Sequence, residues 1–278
     1  MKYRIGEFAK LLGVTVDTLK HYESLQIIEP LKDAKNNYRY FDDYDARTII
    51  KSRTLKSLNL PLDDVAKLME SDSILNVVEK MEESKQTLKE QIYRNTLLLN
   101  KITELQNEIM AISSSLQQFK LKSLPGMYRL QHTDKDKLLK NSCIENAVSS
   151  WMNALPYTFS CFSVKTEEFL SGLELYGYNW GQAIWENELE YVHLEINENI
   201  QYIPPQIYLS TVLSSTDCEY FLSHSRTLIT DYIVKHHYAI KGDIVGKLIF
   251  TSIKNGRHIS YIELYLPVPS QHDIMESY

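Results

Sequence analysis

The sequence predicts an α+β protein in three parts: an N-terminal winged helix-turn-helix, a long helix suited to a coiled coil, and a C-terminal antiparallel-sheet domain. Three observations carry this. Residues 5–44 read as two short helices joined at a glycine, followed by a basic, aromatic extended segment. Between Pro61 and Pro125 there is neither glycine nor proline, and apolar residues recur there in heptads. Beyond Pro125 lie thirteen of the nineteen tyrosines and all three tryptophans, in runs that alternate as strands do. The predicted boundaries are 1–75, 76–122 and 123–278.

In the first helix Ile5, Phe8, Ala9 and Leu12 share one face. Gly13 can take the left-handed conformation that ends it. Thr15 is placed to cap the second helix, with Asp17 in its favourable first turn. Lys20, His21 and Tyr22 fall toward the end of that helix, and Tyr38, Arg39 and Tyr40 on the segment after it. Arg, Lys and Tyr suit phosphate and base-edge contacts, whereas Tyr22 and Tyr40 also suit a small helical core. Pro61 then opens a capped helix over 61–69.

From Met81 one heptad seam runs Met81, Leu88, Asn95, Ile102, Ile109, Leu116. The other runs Ser84, Gln91, Leu98, Leu105, Ile112, Phe119. A lone Asn in such a seam fixes register. A helix of about forty-five residues spans on the order of 65 Å, too long to be packed by one chain of this size. Leu98, Ile102, Leu105, Ile109, Ile112 and Leu116 are therefore expected to face a second copy, the alternative being a helix that lies on the C-terminal domain.

Ser123-Leu124-Pro125-Gly126 breaks the helix. Strands are expected at 127–132, 158–164, 191–196, 206–213, 246–253 and 258–266, with helices at 145–155 and 218–237. Asn255-Gly256 between alternating runs marks a hairpin. Strand-helix-strand-strand twice over gives an antiparallel sheet with helices on one face.

Composition narrows the function classes. Apolar residues make up 44% and charged residues 24%, as in a soluble globular protein. Cys143, Cys161 and Cys218 are odd in number and scattered, which favours a reducing cytoplasm over a disulfide framework or metal site. No apolar run is long enough to span a membrane. Net charge is −6, but residues 1–56 hold eleven Lys/Arg against eight Asp/Glu, and the remainder nineteen against twenty-eight. A mildly basic head on an acidic body is compatible with DNA binding, because phosphate neutralisation is local. Neither a nucleophile elbow nor a phosphate-cradling glycine loop nor a His-Glu metal signature is present, so no catalytic residues, metal or cofactor are expected.

The word order Ile5-Gly6-Glu7-Phe8-Ala9-Lys10, Gly13-Val14-Thr15, Thr18-Leu19, His21-Tyr22-Glu23 and Tyr38-Arg39-Tyr40-Phe41 closely resembles the DNA-binding domain of the MerR family of transcription regulators. Where that family usually has glycine, this chain has Gln26, Asn37 and Asn59; asparagine is the non-glycine residue that best tolerates positive φ. The resemblance implies that Thr15, Thr18, Lys20, His21 and Tyr22 form the groove-facing helix, and Tyr38, Arg39 and Tyr40 the wing. It also implies an antiparallel two-helix coil, a homodimer on a pseudo-palindromic promoter, and activation by shortening the promoter spacer, so that RNA polymerase is engaged through the DNA. The C-terminal element order and the Tyr261-Ile262-Glu263-Leu264 strand look like the gyrase-inhibitor-like effector domain of the multidrug-binding activators in that family. By that likeness Glu263 is the cation receptor of an aromatic-walled pocket, with Tyr261, Tyr157, Phe159, Tyr208, Trp180 and Trp185 as candidate walls. The effector would then be a small aromatic or cationic molecule. The alternative is a small-molecule hydrolase or sequestering domain joined to the DNA-binding head, with Glu263 and tyrosines doing the chemistry.

Overall fold

The structure, a computed structural model, describes residues 2–33, 38–70, 73–135, 137–140, 142–171, 177–216 and 221–269. It divides into two compact units, Met1–Thr96 and Leu97–Tyr278.

The first unit begins with β1 (Tyr3–Arg4), α1 (Ile5–Leu12) and α2 (Val16–Ser24). Gly13 ends α1 at φ 63° and ψ 37°, and its N–H returns to the Ala9 and Lys10 carbonyls. Thr15 caps α2, its hydroxyl accepting from the Thr18 N–H at 3.1 Å. The wing strands β2 (Leu31–Lys32) and β3 (Arg39–Phe41) pair antiparallel, and β3 also pairs with β1. Phe8, Leu19, Tyr22, Phe41 and Ile49 form the core, with the Phe8 and Phe41 rings stacked at 4.8 Å. Asp42 and Asp45 form a reciprocal capping box at the start of α3 (Asp43–Ser57). In α4 (Leu62–Glu70), Val65 and Leu68 pack on Leu55 and Leu60.

The glycine-like positions are held without glycine. Asn59 sits at φ 67° and Gln26 at φ 59°. The Gln26 turn is closed by the Gln26 N–H to Glu23 and the Ile27 N–H to Tyr22, both at 3.0 Å, so a glutamine carries the left-handed strain there. Asn37 lies outside the described residues.

α5 (Ile74–Ser115) is a single helix of 42 residues. The second unit continues through β4 (Lys120–Leu124), β5 (Met127–Gln131), the small hairpin β6 (Thr133–Asp134) with β7 (Lys137–Leu138), and α6 (Ser142–Asn153). Then come β8 (Phe159–Val164), the short α7 (Thr166–Leu170), β9 (Tyr178–Trp185), β10 (Ile200–Ile203) and β11 (Gln206–Ser215). The last elements are α8 (Phe221–Lys235), β12 (Ile244–Lys254) and β13 (Arg257–Pro267). Eight strands make one antiparallel sheet in the order β10-β5-β9-β8-β12-β13-β11-β4. The doubled strand-helix-strand-strand order is present as β5-α6-β8-β9 and β11-α8-β12-β13.

Alternation divides the sheet's two faces. Leu209, Leu213, Ile262, Leu264 and Leu266 pack on Ile229 and Ile233 of α8, and Leu130 and Ile184 pack on Trp151 of α6. The intervening residues, Tyr208, Glu263 and Tyr265 among them, face the other way.

Three sequence expectations are corrected. The long helix stops at Ser115 instead of running to 122. Leu116 forms an isolated bridge with Val212, Gln117 turns at φ 55°, and β4 then pairs with β11. Phe119, counted in the heptad seam, stacks on Tyr232 at 3.9 Å. The strand expected at 191–196 is instead the end of a 3-10 turn (Glu186–Tyr191) followed by a loop. Its alternating apolar residues Val192 and Leu194 pack over Trp151 of α6, and the strand begins only at Ile200. β9 carries no alternating signal because, as a central strand, it is buried continuously from Gly181 to Trp185.

Candidate nucleic-acid interface and effector cavity

α2 has two faces. Leu19 and Tyr22 are buried in the core, while Asp17, Lys20, His21 and Ser24 are exposed in one stripe at helical spacing, with Thr18 half-buried beside it. Tyr22, expected to contact DNA, is therefore corrected to a core residue, 3% exposed. Thr15 is occupied as a cap, its hydroxyl 2.8 Å from that of Thr18. Asp17 pairs with Lys20 at 3.5 Å, consistent with a helix-start role.

Arg39 lies in β3, and its Nε donates to Glu23 at 2.6 Å, which ties the wing to the end of α2. Tyr38 is exposed beneath the Arg4 guanidinium, and Tyr40 is half-buried opposite Arg4 and Leu31. Sequence reading missed Arg53, Lys56 and Ser57, which line a surface depression together with Thr18 and Tyr22. Their signal was present as a basic last turn of α3, but only the fold brings that turn beside α2.

In the second unit a cavity of about 330 Å³ lies between α5 and the face of the sheet opposite α6 and α8. Glu263 and Tyr265 of β13, Lys247 of β12, Trp185 of β9, and Lys122 and Leu124 of β4 line it. Glu104 and Glu108 reach it from α5, and Glu188 from the 3-10 turn. Glu263 accepts from Lys122 and, on the same oxygen, from Ser210 at 2.5 Å; its other oxygen accepts from Tyr265 at 3.0 Å. Burial raises the Glu263 carboxyl, but these donors outweigh it and hold the group below the usual carboxylate range, so it is charged. Burial, together with that charge, pushes the Tyr265 phenol well up, which keeps it a donor.

Two further ion pairs flank the site. Lys247 donates to Glu108 at 2.5 Å and lies 5.1 Å from the Phe159 ring. Lys101 donates to Glu188 at 2.5 Å and to Glu104 at 3.1 Å. Burial pulls Lys101 down, but its two carboxylate partners more than offset this and keep it charged.

The expected cavity walls divide. Trp185 lines the cavity, and Tyr208 and Phe159 stand behind it in the same aromatic cluster. Trp180 is corrected: it lies on the helix-packed face, 5.4 Å from Phe162. Tyr261 shares the Glu263 face by alternation but does not line the cavity, since it sits further along β13 opposite Ser214 and Phe250. Tyr157 lines a separate hollow with Lys101, Glu188 and Tyr191. Lys122, Ser210 and Lys247 carried no sequence signal, because strand register alone brings them to Glu263.

The α5 seam also divides. Leu98, Ile102 and Ile109 are exposed and Leu105 half-buried, on one stripe. Ile112 is corrected to a buried position (7% exposed) and Leu116 to the bridge with β11, so both are used within the chain. Cys161 is buried, and burial pushes its thiol up; Cys218 and the Cys143 side chain lie outside the described residues. Among the described residues no cluster of His, Cys, Asp or Glu can hold a metal, and no helix is long and apolar enough to cross a membrane.

Residues 3–72 match the MerR HTH family of regulatory proteins. The chain is similar to nodulation protein NolA of Bradyrhizobium elkanii, 28% identical over 104 residues, covering 37% of this chain and 47% of that protein. It is similar to the multidrug-efflux transporter 2 regulator of Bacillus subtilis, 31% identical over 105 residues, 36% of this chain and 38% of that one. The transcriptional activator TipA of Streptomyces coelicolor is 33% identical over 70 residues, 25% and 28% of the two chains. The chain thus spans about half the length, or less, of the curated relatives it matches. Among solved structures, the EcmrR–DNA complex aligns over 96% of this chain and 100% of that one, at 14% identity and a TM-score of 0.38.

Proposed function

We propose, from the premise that residues 3–72 are a MerR-family helix-turn-helix domain, that the chain is a cytoplasmic, homodimeric transcription regulator responsive to a small cationic or aromatic effector. One observation carries the effector half of this reading: a charged carboxylate, Glu263, in a cavity that Trp185 and Tyr265 line together with two lysines and three further glutamates, walled on one side by α5. A buried anion beside ring faces is a receptor for a cation. The head supplies the other half, since Thr18, Lys20 and His21 lie on the outer side of α2 with the basic end of α3 alongside. The effector is proposed to favour a dimer geometry that distorts the promoter spacer, so that polymerase engages both promoter elements and transcription rises.

The test begins with selection of bound sequences from genomic fragments, followed by fluorescence anisotropy on the selected duplex. Wild type should prefer its operator to random duplex. Arg53→Ala should weaken both and flatten the salt dependence by about one counterion. His21→Ala should instead change which bases are preferred. A protein that binds every duplex alike, with no dependence on these residues, would overturn the reading.

A further inference from the structure

The carboxylate that marks the effector cavity already has a cation. Lys122 Nζ donates to Glu263 Oε1, and Ser210 and Tyr265 supply further donors, so both oxygens of the charged Glu263 are hydrogen-bonded by the chain's own groups. Of the two lysines that line the cavity Lys247 is locked, as is Lys101 in the neighbouring hollow. The side chains of Lys247 and Lys101 are each 4% exposed and paired to Glu108 and Glu188, so removing either from its partner would leave a bare charge in the interior. Lys122 is different. It lies on β4, the edge strand of the sheet, and its side chain is 40% exposed. When it leaves Glu263 its ammonium can go to water on a flexible stem at little desolvation cost.

We propose that Lys122 is a built-in occupant of the effector's seat: the ligand is an amine whose N–H-bearing cationic head displaces the Lys122 ammonium from Glu263. This rests on the reading of the cavity as an effector site and specifies how that site chooses. The seat is shaped by a primary ammonium, which fills it by donating a hydrogen bond to Glu263 Oε1 beside the Ser210 hydroxyl. A protonated primary or secondary amine, or an amidinium, reproduces that bond. A quaternary ammonium carries charge but has no hydrogen to donate, and it leaves the oxygen short of a donor in a low-dielectric site. The apolar tail of the ligand would lie against Trp185, Leu124 and Pro125.

Displacement gives Lys122 a definite effect on affinity. Every ligand competes with a tethered cation, so wild type binds more weakly than a chain whose residue 122 is neutral. A hydrogen bond to a charged group is worth enough to shift affinity by about tenfold or more.

The experiment titrates 2-phenylethylamine and its N,N,N-trimethyl analogue into the full chain, read by calorimetry and by the tryptophan fluorescence that Trp185 contributes. Wild type, Lys122→Met, Lys122→Arg and Glu263→Gln are compared, with thermal melts confirming that each is folded. Expected is a tightening of about tenfold for the primary amine in Lys122→Met, a return toward wild type in Lys122→Arg, and loss of binding in Glu263→Gln. The trimethyl analogue should bind Lys122→Met at least about tenfold more weakly than the amine. If Lys122→Met binds the amine no better than wild type while Glu263→Gln abolishes binding, displacement is wrong and the cavity reading survives. Equal binding of amine and trimethyl analogue would overturn the requirement for an N–H donor. If neither compound binds any of the folded proteins, the cation cavity itself is wrong, and this inference falls with it.

Discussion

Gln26 at φ 59° is a residue that sequence pattern flags and geometry then explains. The turn after α2 needs a left-handed residue to return the Gln26 and Ile27 N–H groups to the last turn of the helix. A residue with a Cβ holds that conformation at a cost of roughly 1 kcal/mol, which glycine avoids. Gln26→Gly should therefore raise stability by about 0.5–1 kcal/mol in urea unfolding, and a loss of stability would show that the glutamine side chain contributes contacts of its own. Glu263 gives a second prediction, through its proton. Its folded-state carboxyl lies below the ordinary value of about 4.5, so the stabilisation it provides is present above that pH and is lost as pH falls through the folded value. Glutamine has no such linkage. The stability gap between wild type and Glu263→Gln should be constant near neutral pH and shrink as pH falls below the ordinary carboxylate value. A gap independent of pH over that range would mean that folding does not shift the Glu263 carboxyl, so that these donors do not favour its charged form.

At the scale of elements, α5 carries two stripes with different uses. Lys101, Glu104, Glu108 and Ile112 turn toward the sheet of their own unit, whereas Leu98, Ile102, Leu105 and Ile109 lie on the adjacent stripe, largely exposed. Leucine and isoleucine repeated at heptad spacing on an exposed face are what a partner helix covers. Replacing Ile102 and Ile109 together by Glu should convert a dimer to a monomer in sedimentation at micromolar concentration, with the thermal transition of the sheet unit retained. Ile112→Ala is the contrasting case: it should cost about 2–4 kcal/mol of stability and leave the assembly state unchanged. A wild type that sediments as a monomer would remove the coil. These stripes also show where sequence reading stops. Local signals were legible: the Gly13 turn, the Thr15 cap, the Asn255-Gly256 hairpin and the unbroken helix were all in the pattern. Position 112 was not, because a heptad pattern reports that a residue is apolar and not which surface covers it. The end of α5 was misread for a related reason. Leu116 and Phe119 keep the helical spacing, but one bridges Val212 and the other stacks on Tyr232, contacts nearly a hundred residues or more away in sequence. At the cavity, Glu263 was readable from its strand, but alternation singled out Tyr261 beside it, and the tyrosine that lines the cavity is Tyr265. Lys122 and Ser210 were not readable, since they reach Glu263 through the register of β4 on β11 and β11 on β13.

For the whole molecule, the proposed mechanism places the regulatory energy in the DNA. Smoothly bending or twisting a promoter-sized duplex costs on the order of 1–6 kcal/mol, and an effector can shift that balance only by its difference in affinity between the two protein states. A ligand that distinguishes the states by about 3 kcal/mol would change the population ratio by about a hundredfold, enough for a clear transcriptional response. This leads to a prediction that needs no knowledge of the effector. If activation consists of shortening the effective spacer, a promoter whose spacer has been shortened by deletion already has its two polymerase-contacting elements in the productive arrangement. In purified transcription with polymerase and the full chain, that promoter should be active without effector. Adding the protein and ligand should give no further rise, or a fall, because the distortion now displaces elements that were aligned. The intact promoter in parallel should stay weak with protein alone and rise when effector is supplied. Glu263→Gln protein should occupy the intact operator normally, since residues 3–72 are unaltered, yet fail to raise transcription with any effector that binds at Glu263. A shortened promoter that still requires protein and ligand for activity would show that the regulator works by touching polymerase and not by reshaping the spacer.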